Sequence, residues 1–293
     1  MERFILEAIG KANMFGLRKF PYGSAVLAGI ILALYYFLSL GTPYITDSSL
    51  RGLALNGQNP LSIISHLFIH VGIFHLIGNL IPLLLFGLAL EAAVLSIDVV
   101  LIFLMAGTGA SLLFSIVNPG VPLIGASAGI SGILTSVMLL RPKAALALLI
   151  ATPLLISFVI FPGIDYAGKW YDSNLASQKV ALKEELKVAV EQNKTPEVIM
   201  QINQSLEKTQ TKIEVTQDGR QREAATPSDF LVHVYGAMIG GFYIYFFKRK
   251  ELLASEDEFV TIGAFIFGKL DSLQEMLKGK EKGKAPKRKQ KSA

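Results

Sequence analysis

The chain has 293 residues, 52% of them hydrophobic and 17% charged, with a formal net charge of +5. That balance is too apolar for an ordinary soluble domain, and the clumping of the apolar residues argues for spanning helices rather than one large core. The lack of cysteine excludes disulfides and thiolate chemistry, so redox says nothing about compartment.

The first apolar run begins only after MERFILEAIGKANMFGLRKFPYG, so residues 1–23 read as an N-terminal segment and not as a cleavable signal peptide. Six apolar segments follow, at roughly 24–41, 74–95, 99–117, 123–140, 144–162 and 230–247. Each is long enough to cross the ~30 Å hydrocarbon core, although the fourth is short if its helix starts at Ser127. Each must be helical, because lipid offers no partners to an open strand edge. Arg18 and Lys19 precede the first span, Arg141 and Lys143 separate the fourth from the fifth, and Lys248, Arg249 and Lys250 follow the sixth. The positive-inside rule places all of them in the cytoplasm, with both termini. Spans two, four and six then run inward from the outer surface. A multi-pass protein of the cell membrane is expected, with spans one to five within 24–162 and the sixth within 230–250.

The one long break, 163–229, predicts an extracytoplasmic helical hairpin. Leu182, Leu186 and Val190 form one apolar stripe, and Ile199, Ile202, Leu206 and Ile213 form another. Between them NKTPE offers a Thr N-cap followed by Pro at the first helical position. The hairpin holds nine basic and eleven acidic residues between 165 and 229, so no charge preference selects a partner. Trp170 and Tyr171 suit an interfacial anchor. Within the C-terminal stretch 251–293, Phe259, Ile262, Ile266, Leu270, Leu273 and Leu277 predict an amphipathic helix on the cytoplasmic leaflet. The last sixteen residues hold eight Lys or Arg and one Glu, a tail suited to anionic lipid rather than nucleic acid.

The chain has four histidines. His66, His70 and His75 lie in HLFIHVGIFHLIGNL at the start of span two, with Asn79 one turn past His75. His233 starts span six, and Ser127 starts span four. The predicted topology puts all of these groups, His66 and His70 included, in the first turns of the three inward-running helices, at one depth below the outer surface. On span six, His233, Gly236, Ala237 and Gly240 share a face; on span four, Ser127 is surrounded by Ala128, Gly129, Ser131 and Gly132. Small faces let helices approach closely in lipid, which would bring the Ser127 hydroxyl to the His233 imidazole. A serine needs a base to become nucleophilic, and histidine suits that near neutral pH. Asn79, His75 and the Ser127 amide are placed to donate to an oxyanion.

HLFIHVGIFHLIGN matches the H-x₃-H-x₄-H-x₃-N signature of rhomboid intramembrane proteases. GASAG, from Gly125 to Gly129, resembles their G-x-S-G motif. His233-Val-Tyr-Gly236-x₃-Gly240 resembles their H-x₂-G-x₃-G, and Gly87 and Glu91 resemble their G-x₃-E. The resemblance covers roughly 20–250. It implies an all-α, six-transmembrane-helix bundle carrying an extracytoplasmic helical insertion between helices five and six and a cytoplasmic amphipathic C-terminal helix. It also implies a Ser127–His233 dyad without an acid, an oxyanion hole lined by His75, Asn79 and Ser127, a hydrogen-bonding structural role for His70, and no cofactor. Gly125, Gly236, Gly240 and Glu91 would support the site, Glu91 by tying the end of span two to a neighbour. The chain departs from the family where Ala128 replaces a Gly, where Ser131 replaces an aromatic ring, in lacking a Trp-Arg pair in the first outer loop, and in the insertion itself.

Taken singly, Ser127 could be a packing serine and His233 a structural histidine. His66 and His70 have the spacing of metal ligands, but no HExxH-type helix accompanies them and no metal is expected. His66 is expected simply to sit at the interface. The leading expectation is a serine endopeptidase that cleaves single-pass membrane proteins near the outer surface. The rival is a rhomboid-like, non-catalytic protein that binds membrane helices in trafficking or quality control. A small-solute transporter would need polar residues at midplane and an internal repeat, and neither is visible.

Overall fold

A computed structural model describes residues 21–55, 59–225, 230–256 and 259–260. The described residues build α1 Tyr22–Ser39, α2 Ile73–Glu91, α3 Ser96–Val117, α4 Ser127–Leu140, α5 Pro142–Leu155, α6 Phe161–Glu191, α7 Pro196–Ala225 and α8 Phe230–Phe247. Five continuous helices are long and apolar enough to span a membrane, one of them running from Pro142 to Glu191; α4, at 14 residues, is shorter.

Small residues decide how these helices meet. A Cβ at Gly236 would collide with the Ala128 carbonyl, and one at Gly240 with the Gly132 backbone. Because residue numbers rise together on both helices, α4 and α8 run parallel. On the other flank of α4, Gly129 lies against the Phe103 ring and carbonyl, and Gly132 against Ala106, both on α3. In lipid, such close backbone approach supplies the packing that hydrophobicity cannot. The core around these seams includes Leu83, Phe103, Ile133 and Ile244, each fully buried.

Charged ties close the end of the bundle opposite Ser127. The Glu91 carboxylate accepts the Ser24 amide at 2.7 Å, the Gly23 amide at 3.4 Å, the Ser24 hydroxyl and the Ser96 hydroxyl at 2.5 Å. It thereby joins the end of α2 to the starts of α1 and α3. Asp98 pairs with Lys248 at 2.7 Å and accepts the Tyr243 hydroxyl at 2.8 Å, joining α3 to the end of α8. Arg141 donates to the Ala89 carbonyl at 3.3 Å, so the ends of α2 and α4 lie together. With their starts also adjacent, α2, α4 and α8 are parallel.

The segment between α1 and α2 folds into short helical pieces at Asp47–Arg51, Ser62–Ser65 and His66–Phe68. His66 corrects the expectation of an interfacial residue. It is 1% exposed and spans two elements, with Nδ1 at 2.6 Å from the Ser62 carbonyl and Nε2 at 2.8 Å from the Ser111 hydroxyl of α3. A carbonyl can only accept, so the proton is on Nδ1 and Ser111 donates to Nε2.

No break occurs at 163. Pro162 has no N–H and would clash with the carbonyl four residues back, which ordinarily ends or kinks a helix. Here residues Ile156–Ile160 form a single π turn, with the Phe161 amide donating to the Ile156 carbonyl, and the helix continues into α6. After the turn at 192–195, α7 returns antiparallel. Their seam holds Leu175 and Ala189 from α6 and Ile202, Thr209 and Thr216 from α7, at heptad spacing. Val190, assigned to the stripe from sequence, is 55% exposed, and Ala189 takes the buried position. Of the C-terminal amphipathic helix only Phe259 and Val260 are described; the rest, with the basic tail, lies outside the described residues, as do Arg18 and Lys19.

Candidate active site

The loop before α4 sets the position of Ser127. Leu55 and Leu123 exchange backbone hydrogen bonds of 3.0 and 3.1 Å, and the Gly125 amide donates to the His66 carbonyl at 2.8 Å. Gly125 holds φ +114°, a conformation for which glycine is suited, and a Cβ there would stand 2.7 Å from His75 Nε2. Ser127 then opens α4 as its first helical residue, behind a buried Ala126 N-cap that has no capping side chain. Its amide is one of the free donors at a helix N-terminus. Ser131, at the position where an aromatic was missed, donates to the Ser127 carbonyl at 2.9 Å.

The parallel register of α2, α4 and α8 brings His75, Asn79, Ser127 and His233 to the lining of one cavity of about 790 Å³. His233 lies three residues before Gly236, which rests on the carbonyl next to Ser127, so the α4–α8 seam ends at the serine–histidine pair. Asn79 is 8% exposed and gives one N–H to the His75 carbonyl at 2.8 Å. Phe74 and Phe161, with ring centroids 5.2 Å apart, form the contact between α2 and α6 on the cavity's flank.

His70 differs from its expected hydrogen-bonding role. It is fully buried, neither ring nitrogen has a hydrogen-bond partner, and its ring lies edge-on to His75 with centroids 4.9 Å apart. The Phe68 backbone faces the ring without meeting hydrogen-bond geometry. Burial, and then the His75 ring, hold its pKa down to about 3, so the imidazole is neutral.

Two cavity residues were not anticipated from sequence: Arg222 and Glu223, from the last turn of α7. Arg222 pairs with Asp47 and donates to the Ile45 carbonyl at 3.2 Å, and Gly219 lies against Tyr44, so the end of α7 is fastened to the loop after α1. The Glu223 carboxylate accepts the His75 amide at 2.5 Å, and the Phe74 amide faces it without meeting hydrogen-bond geometry. Burial raises its pKa above the usual carboxylate range, and the two amides offset part of that rise. The seam positions 202, 209 and 216 continue by one heptad to 223, which is the signal that could have found it. Among the described residues, no three His, Asp or Glu side chains converge at metal-binding spacing.

Residues 58–182 match the family model of the Rhomboid domain. The chain is also similar to rhomboid-related protein 1 of Caenorhabditis elegans, with 44% identity over 66 residues. That stretch is 22% of this chain and spans 18% of the relative's length. No solved structure matches. The family match contains His75, Asn79 and Ser127 and ends within α6, before α7 and His233. The chain is a multi-pass membrane protein that matches the Rhomboid domain over residues 58–182.

Proposed function

We propose that the protein is an intramembrane serine endopeptidase in which Ser127 and His233 form the catalytic dyad. The observation that carries this reading is the shared cavity: Ser127, His233, His75 and Asn79 line it together at the end of a glycine-built seam. Ser127 Oγ attacks the scissile carbonyl carbon while His233 takes its proton. The tetrahedral oxyanion is met by the Ser127 amide at the positive end of α4, together with His75 and Asn79. His233 then returns the proton to the departing amine as the C–N bond breaks. Water, again deprotonated by His233, releases the acyl group and restores the serine.

The shortness of α4 supports a site below the membrane surface. Fourteen helical residues span about 21 Å of a ~30 Å core, which sets Ser127 roughly 10 Å beneath one face. Arg141, Lys143 and Lys248 to Lys250 stand at the opposite end of the bundle, which favours the outer face for the serine. The substrate is a single-pass membrane protein whose helix unwinds at Gly or Ala near that face, reaching the cavity from lipid past Phe74 and Phe161.

The test is cleavage of a single-span reporter in detergent and in liposomes by the wild type, Ser127→Ala and His233→Ala. Loss of activity in both folded variants supports the dyad. A folded wild type that neither cleaves nor takes a serine-directed fluorophosphonate at Ser127 overturns it in favour of non-catalytic helix binding.

A further inference from the structure

The first turn of α2 carries His75 and leads to Asn79, yet its N-cap is Gly72, which has no side chain to receive the free amides. Glu223 fills that role from 148 residues away, accepting the His75 amide at 2.5 Å. Gly72 shows that the fit is close: a Cβ there would stand 2.6 Å from Glu223 Oε2 and 2.6 Å from the Tyr44 ring. The φ of Gly72 is −152°, within reach of any residue, so space rather than backbone freedom is what the glycine provides.

Both oxyanion candidates on α2 depend on the His75 backbone. The His75 ring is confined between Gly125 and His70, and Asn79 gives its N–H to the His75 carbonyl. A shift of the first turn therefore moves both groups relative to Ser127. The insertion would usually be read as a lid, but its last turn is fastened by Arg222 to Asp47 and by Gly219 to Tyr44, which leaves Glu223 fixed above α2.

We propose that Glu223 is a positioning residue for the oxyanion site, holding the first turn of α2 so that His75 and Asn79 face Ser127. The insertion is on this account part of the catalytic unit, a conclusion that rests on the protease reading above. A charge-assisted bond to the His75 amide fixes the helix start at the residue that carries the ring, and sub-ångström placement is what an oxyanion site requires.

The experiment compares full-length wild type, E223A, E223Q and D172A in liposomes. Asp172 pairs with Arg220 at 2.7 Å on the same hairpin, so D172A loosens the hairpin while keeping the Glu223 carboxylate. Two quantities are read: hydrogen exchange of the 73–79 amides, and kcat and KM separately. E223A is expected to speed exchange over 73–79 and to lower kcat about tenfold or more with KM nearly unchanged, because the interaction acts on the transition state. E223Q, which keeps an acceptor oxygen, is expected to fall between, and D172A to match the wild type. Unchanged exchange in E223A overturns the tether whatever the activity. Faster exchange with unchanged kcat overturns positioning, as does a D172A variant that loses kcat equally. A wild type that protects 73–79 but neither cleaves nor labels at Ser127 overturns the protease reading and leaves Glu223 a helix cap.

Discussion

Gly236→Ala adds one methyl group where α8 touches α4. The new Cβ would lie 3.0 Å from the Ala128 carbonyl carbon and 3.3 Å from Ala128 Cα, with the carbonyl oxygen closer still. Backbone atoms have no rotamer in which to retreat, so the helices must part by about 1 Å to restore ordinary contact. Overpacking of this kind costs about 1–3 kcal/mol, while replacing a mid-helix Gly by Ala returns about 1 kcal/mol of propensity. The net loss of stability is therefore at most about 2 kcal/mol. The effect on chemistry is larger, because the separation falls between Ser127 and His233, where a 1 Å misplacement costs roughly 10²-fold in rate. Gly241→Ala is the internal control. Its Cβ would meet Thr135 Cγ2 at 3.6 Å and Leu139 Cδ1 at 3.9 Å, which is normal packing. Cleavage rate in liposomes and thermal unfolding in detergent should show Gly236→Ala folded but nearly inactive, and Gly241→Ala at least as stable and fully active. A Gly236→Ala variant with wild-type kcat would refute the argument that this seam sets the dyad.

Three further outcomes follow from the structure. Lys248→Met strips Asp98, whose side chain is 7% exposed, of its ion pair and should cost about 3 kcal/mol in unfolding, with Asp98→Asn in the same chain recovering most of the loss. Gly125→Ala must hold φ +114° and push its methyl onto the His75 ring, so cleavage should fall about 100-fold or more while the protein still folds; unchanged kcat would show that His75 is not held by this glycine. His66 is buried neutral with its pKa lowered to about 4 from 6.5, chiefly by burial, and His70 to about 3. The unfolded chain binds protons below pH 6.5 that the folded chain refuses, so stability should drop by a few kcal/mol as pH falls from 6.5 toward 4. His66→Gln should flatten that slope, and equal unfolding temperatures at pH 7 and pH 5 in the wild type would contradict the burial of both rings.

What could be read from the sequence was whatever lipid enforces. A span must be apolar and helical, so α1, α2, α3 and α8 stand within a few residues of the segments read from hydropathy, and the short α4 begins at Ser127. The glycine faces at 236–240 and 125–132 were legible because close approach in lipid needs small residues at helical spacing. The π turn was not, since Pro162-Gly163 carries the ordinary signature of a helix stop, whereas the turn at Ile156–Ile160 lets the helix continue past it. Ala189 was passed over for Val190 because hydrophobicity, not the tightness of an antiparallel seam, was the guide. His66 hid for a related reason: a polar side chain at a loop reads as exposed until its two partners, Ser62 and Ser111, are placed in space.

Glu223 marks the deeper limit, and also a way past it. A charged residue in a balanced hairpin looks like a solvated face, and nothing near it in sequence suggests otherwise. The helix starts, however, pose a question that sequence can ask. α1 begins behind Pro21 and α2 behind Gly72, and neither residue offers a side chain to the free amides of the first turn. Beneath a loop or in lipid those amides need acceptors from elsewhere, because an unmet buried donor costs several kcal/mol. The chain supplies a carboxylate for each: Glu91 bonds the Gly23 and Ser24 amides, and Glu223 bonds the His75 amide. α4 begins behind Ala126, equally unable to cap, and no side chain among the described residues takes its first amides. Two of these three starts are met from within the protein. The third opens with Ser127 onto the cavity, and donors left free in a sheltered site are what a transient oxyanion needs, so on the proposed protease reading it is this start that would receive the substrate's charge.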